Sequence, residues 1–87
     1  MRPTSKPDIS LAQLRYFVTA AEQGGMTWAA DELFVAQSAI STSIANLEKA
    51  LGTQLLIRRR AKGLQLTAQG VELLQRSRGI LAAVDDA

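Results

Sequence analysis

Arg58, Arg59, Arg60 and Lys62 place four cations within five residues. Groups packed at that density are either a solvated loop or a seat for phosphate oxygens. Upstream, Ser38, Ala39, Ser41 and Thr42, with the amide of Gln37 beside them, form a run of uncharged, mostly short side chains where a solvent-facing helix would normally carry Lys and Glu, and no acidic residue stands between Val35 and Leu47. Groups that make and break bonds are poorly represented. The chain has neither His nor Cys, which removes the usual zinc, haem and thiol chemistries. It has no Gly-rich phosphate loop, and its carboxylates are scattered with no sign of a shared pocket. No catalytic residue, metal site or cofactor is expected.

The totals leave room for one small unit. A chain of 87 residues, 47% of them hydrophobic, can build a single small core. The net charge of +2 hides a split: residues 1–54 carry −1 and residues 55–87 carry +3. The start, "MRPTSKPDIS", is polar and holds Pro3 and Pro7, so residues 1–9 read as a frayed tail, neither a signal peptide nor a membrane anchor. No stretch approaches the roughly 18 unbroken apolar residues of a membrane span. A cytoplasmic protein is the default expectation.

The elements that would position these residues follow from local patterning. Ser10 and Gln13 form a capping-box pattern, and Leu11, Leu14, Phe17, Val18 and Ala21 recur at helical spacing, predicting a helix from about Leu11 to Gln23 that ends at Gly24 and Gly25. Thr27 is expected to cap a short second helix reaching about Phe34, with Ala29 and Ala30 allowing close helix packing and Asp31 and Glu32 near its positive end. After an interruption at Val35, Ile40, Ile44, Leu47 and Leu51 fall in one narrow sector of a third helix ended by Gly52. Opposite them lie Ser38, Ser41, Thr42, Ala45 and Lys49, with Gln37 at the side of the first turn. "QLLI", then "RRRAKG", then "LQL" reads as a hairpin with a basic loop. Thr67 can cap a last helix running to Ala87, about 30 Å long at roughly 1.5 Å per residue. Its Leu74, Ser77, Leu81 and Val84 keep near-heptad spacing, widened by Leu73 and Ile80. Such a stripe serves either a helix packed back on its own domain or one paired with a copy of itself.

Three helices, a two-stranded wing and a long helix, in that order, describe a mainly α winged helix-turn-helix: residues 10–66 form the domain and residues 67–87 a linker or dimerisation helix. In this plan the helix after the tight turn enters the DNA major groove. A groove about 12 Å wide favours short side chains and repels carboxylates. The run from "LRYFVTAAEQGG" through "AADELFVAQSAIS" and "LEKALGTQLL" to "GLQLTAQG" resembles the DNA-binding domain of LysR-type transcriptional regulators over nearly everything after the tail. The resemblance implies a homodimer, held through the final helix by Leu73, Leu74, Ile80, Leu81 and Val84, on an interrupted inverted repeat in promoter DNA. It further implies a C-terminal domain beyond this chain that binds a small-molecule effector. The rival classes are an enzyme, a winged helix used for protein contacts, and a regulator of another winged-helix family such as one resembling MarR.

Residue by residue, Gln37 matches a family position that reaches base edges, and its amide can pair with adenine through donor and acceptor together. Ser38 stands where proline is common in the family, and with Ala39 would lie against sugar or a thymine methyl. Ser41 and Thr42 extend that face or are simply solvated; Thr42 replaces an Arg common in relatives. Ala36 replaces a capping Ser, a loss that typically costs about 1 kcal/mol. Thr27 could seat a phosphate as well as cap. Trp28 would lie along a sugar-phosphate backbone or else join the core. Arg58 matches the family's arginine after the first wing strand, and Arg59, Arg60 and Lys62 would pair phosphates or enter a narrow minor groove.

Overall fold

Ser10 starts the first helix as its pattern requires. In the computed structural model, which describes residues 8–59 and 63–87, the Ser10 hydroxyl accepts from the Gln13 N–H (3.2 Å) and the Gln13 side chain accepts from the Ser10 N–H (2.8 Å). Two of the free donors at the helix start are thereby met by local side chains. Helix α1 runs Leu11–Gln23 and stops at Gly24, whose φ of 75° is the left-handed conformation that glycine adopts without strain.

Helix α2 is Met26–Leu33, one residue ahead of the sequence-based start. Its N-cap is Gly25, with no side-chain cap, so Thr27 lies inside the first turn and does not cap. The buried Met26 side chain ties that turn to the core, which decides the start in place of the Thr27 hydroxyl. Asp31 and Glu32 lie in the second half of α2, away from its positive end, and its first turn holds no acid. Phe34 closes α2 in the left-handed region, at φ 58°. Helix α3, Gln37–Leu51, ends on Gly52, also left-handed. Strands β1 (Leu56–Arg59) and β2 (Gly63–Leu66) pair antiparallel, Leu56 opposite Leu66 and Arg59 opposite Gly63. Thr67 caps α4, Ala68–Asp86, by accepting from the Gly70 N–H at 3.0 Å.

Helix α1 is the hub, packed against α2, α3 and α4. Phe17, Ile40, Leu47 and Leu55 are fully buried at the centre, joined by Leu14, Val18, Ala29 and Ile44. Two ion pairs tie α1 to α4: Arg15–Asp85 (2.9 Å) and Arg78–Glu22 (2.8 Å).

The α4 stripe divides. Leu81 is buried at 8% exposure in the chain's own core, and Leu73 and Leu74 are half-buried against it, whereas Ile80 (45%) and Val84 (41%) face outward. Leu81 therefore packs within its own chain, and the spacing that suggested a partner helix also marks the seam with α1. Ser77 sits in this seam at 0% exposure, and its hydroxyl is the buried side-chain oxygen without a hydrogen-bond partner among the described residues. An unmet buried hydroxyl costs roughly 1–3 kcal/mol, and Ala is the better helix former. Ser77→Ala should raise stability by about 1 kcal/mol, a gain of roughly 4–8 °C in Tm for a domain of this size. A thermal melt with an unchanged or lower Tm would contradict it.

Candidate nucleic-acid interface

On helix α3, Gln37, Ser38, Ala39, Thr42, Ala45, Asn46 and Lys49 are exposed, and Ser41 is half-buried. Gln37, Ser41, Ala45 and Glu48 recur at i, i+4, i+8 and i+11 and so line one flank of the helix. Two neighbours meet this flank. At its start, the Thr27 hydroxyl of α2 donates to Gln37 Oε1 at 3.0 Å. At its end, Glu48 Oε2 accepts from the backbone N–H groups of Leu55 (2.8 Å) and Leu56 (3.2 Å), where the chain enters the wing.

The Thr27 bond orients the Gln37 amide. With Oε1 held, its NH2 group is left to donate outward, and the second lone pair of the carbonyl can still accept. The donor-plus-acceptor pattern required for an adenine edge survives. Thr27 has one hydroxyl proton and spends it on Gln37, so it could donate to a phosphate only by releasing that bond.

Ala36 leaves α3 without a side-chain cap. The turn closes through the backbone instead, with the Ala39 N–H donating to the Ala36 carbonyl at 3.0 Å. The first turn of α3, with exposed Gln37 and Ser38, thus has no N-cap side chain bonded to its N–H groups, and such donors at a helix start favour anions. Trp28 is 66% exposed, which removes the core reading and leaves its ring beside Thr27 on the outer surface of α2.

For the wing, Arg58 and Arg59 lie in β1, opposite Leu64 and Gly63; their side chains, with Arg60 and Lys62, fall outside the described residues. The hairpin is anchored on its far side, where the Leu64 N–H approaches the Gly24 carbonyl at 3.5 Å. Gly63, at φ 69°, lies so close that a Cβ would stand 2.9 Å from the same oxygen.

Sequence reasoning missed two residues. Glu48 sits in the quoted "LEKALG" run, but nothing local says that its carboxylate reaches across to Leu55 and Leu56. Phe34 is 92% exposed in a left-handed turn, where its aromatic type suggested nothing but the end of a helix. Among the described residues no helix is long and apolar enough to cross a membrane.

This arrangement is similar to known proteins on both sequence and fold. The model of the bacterial regulatory helix-turn-helix proteins of the lysR family matches residues 11–71. The chain is 38% identical over 79 residues, 91% of its length, to the transcriptional regulator BsdA of Bacillus subtilis, and 45% identical over 69 residues, 79% of its length, to the regulator TfdS of Cupriavidus pinatubonensis. It spans about a quarter of each relative, 27% and 23% respectively. Among solved structures, the CbnR DNA-binding domain in complex with DNA superimposes at a TM-score of 0.85 with 38% identity, covering 90% of this chain and 88% of that one. The BenM DNA-binding domain on catB site 1 DNA gives 0.85 with 40% identity, over 90% and 86%.

Proposed function

The chain belongs to the lysR family of bacterial regulatory helix-turn-helix proteins, and from that membership we propose that it is the promoter-binding part of a transcriptional regulator. Helix α3 enters the major groove by its Gln37–Thr42 face, and the basic wing grips the adjoining backbone. The observation that carries this reading is the exposed, carboxylate-free start of α3, with Gln37 oriented by Thr27. The DNA complexes among its structural relatives support it.

The functional unit is a homodimer on an interrupted inverted repeat, paired through α4 with Ile80 and Val84 as the outward apolar contacts. The whole regulator is cytoplasmic and answers to a small-molecule effector bound by a separate C-terminal domain. Thr27, Trp28, Ser38, Ala39, Ser41 and Thr42 lie along sugar, phosphate or base edges, and Arg58, Arg59, Arg60 and Lys62 on phosphate or in the minor groove.

Selection of binding sites from a random duplex pool by the purified chain tests this proposal, with a palindrome of two half-sites as the expected product. Gln37→Ala should relax preference at one position per half-site, by roughly tenfold to a hundredfold, the worth of a bidentate base contact of about 1–3 kcal/mol. Arg60→Ala should weaken all sequences alike. A pool that converges on no motif, or equal losses on every sequence for both variants, would remove base readout from Gln37.

A further inference from the structure

We propose that Glu48 is a positioning residue: its carboxylate fastens the wing to the recognition helix, so that base-reading flank and cationic loop meet a duplex as one surface. The proposal rests on the DNA-binding reading above.

The wing is carried mainly by elements other than α3. Strand β2 packs on α1 and α4, and its start is held at the Gly24 carbonyl. Among the described residues, the hydrogen bonds that α3 makes to the segment entering the wing are the two at Glu48. Between α3 and β1 lies a notch of about 270 Å³ lined by Ile44, Ala45, Glu48, Gln54 and Leu56. Glu48 lines this notch, and its carboxylate reaches the N–H groups of Leu55 and Leu56. Its targets are well chosen. Leu55 is buried in the core and Leu56 is the first residue of β1, so a hold on these two N–H groups sets where the hairpin leaves the body.

Glu48 closes the flank that Gln37 opens, and so its two hydrogen bonds join that flank directly to the start of β1. A wing free to shift against α3 would have to be ordered at each binding event, which weakens association and loosens its phosphate contacts. Both hydrogen bonds end on the same oxygen, Oε2. Reach and an acceptor are what the position needs, and negative charge only strengthens the bonds.

That distinction supplies the test. Glu48→Gln keeps length and a carbonyl acceptor but loses charge; Glu48→Asp keeps charge but is one methylene too short. Each variant, checked for folding by its melt, is titrated against a labelled mixed-sequence duplex across a range of salt concentrations. Glu48→Gln should bind within about threefold of the parent chain with the parent's salt slope, and Glu48→Asp should bind at least tenfold more weakly with a shallower slope. Amide exchange at Leu55 and Leu56 should stay protected in the first and speed up in the second. The reverse order, or two variants indistinguishable from each other in binding and exchange, would overturn the proposal. If the parent chain binds no duplex, the DNA reading fails; the exchange data then decide the fastening alone, with unaltered protection in Glu48→Asp refuting it.

Discussion

Replacing Gly70 by alanine should cost the domain about 3 kcal/mol or more, while the same change at Gly79 in the same helix should cost nothing. An ideal Cβ on Gly70 would lie 2.2 Å from the Leu55 carbonyl oxygen and 3.2 Å from Leu66 Cδ2; at Gly79 nothing stands within 4 Å. The Leu55 carbonyl has no room to give way. It accepts from the Thr67 N–H at 3.0 Å and from the Thr67 hydroxyl, which also donates to the Gln54 carbonyl at 2.6 Å. Leu55 itself is fully buried. To admit the methyl group, the start of α4 must lift from the strand entry, loosening the Thr67 cap and the packing of Leu55 together. Helix propensity works the other way by up to about 1 kcal/mol, and overpacking of a tight contact costs typically 1–3 kcal/mol, occasionally more. Loss of the cap network adds to that cost. A domain of this size has roughly 4–13 kcal/mol in all, so Gly70→Ala should lower the urea midpoint steeply and Gly79→Ala should leave it unchanged or raise it. Equal midpoints for the two variants would mean that α4 is not seated on Leu55 as described.

What could be read in the sequence was what local chemistry decides. Ser10 with Gln13, Gly24, Gly52 and Thr67 act on backbone groups within a turn of themselves, and each does in the structure what its type and place suggested. Thr27 failed as a cap because burial of Met26, a tertiary effect, started α2 earlier. The α4 stripe was ambiguous for a related reason: periodicity marks a buried face but not what covers it, and within this chain α4 packs on α1 with Leu81 buried. In the candidate site, the outward run from Gln37 to Thr42 was legible as a gap in the charge pattern. The Thr27–Gln37 bond and the hold of Glu48 on the wing were not. They join residues ten, seven and eight positions apart across separate elements, and no single-element pattern encodes such a contact.

The second large effect expected is on salt dependence. Most of the arginines outside the wing already have carboxylate partners: Arg15 with Asp85, Arg76 with Glu72 and Arg78 with Glu22. These exposed pairs add little stability, but they commit positive charge to the body of the domain. Among the described residues Lys49 is a cation near the proposed interface outside these pairs, and the sequence adds the four charges of the wing run. Four wing cations per chain in a dimer could neutralise up to about 8 phosphates; with half or more of them engaged, log affinity should fall against log salt with a slope of about −4 to −7. Between roughly 50 and 200 mM salt that is a loss of about two and a half to four orders of magnitude, far more than any one base contact supplies. Arg59→Ala with Arg60→Ala removes half of these charges and should make the slope shallower by about 2–3, whereas Gln37→Ala should leave it alone, because a neutral amide displaces no counterions. The two variants thus separate gripping from reading in one titration series. A parent slope near zero would take the wing out of the interface, and a slope that moved with Gln37 as much as with the arginines would refute the division between a gripping wing and a reading α3.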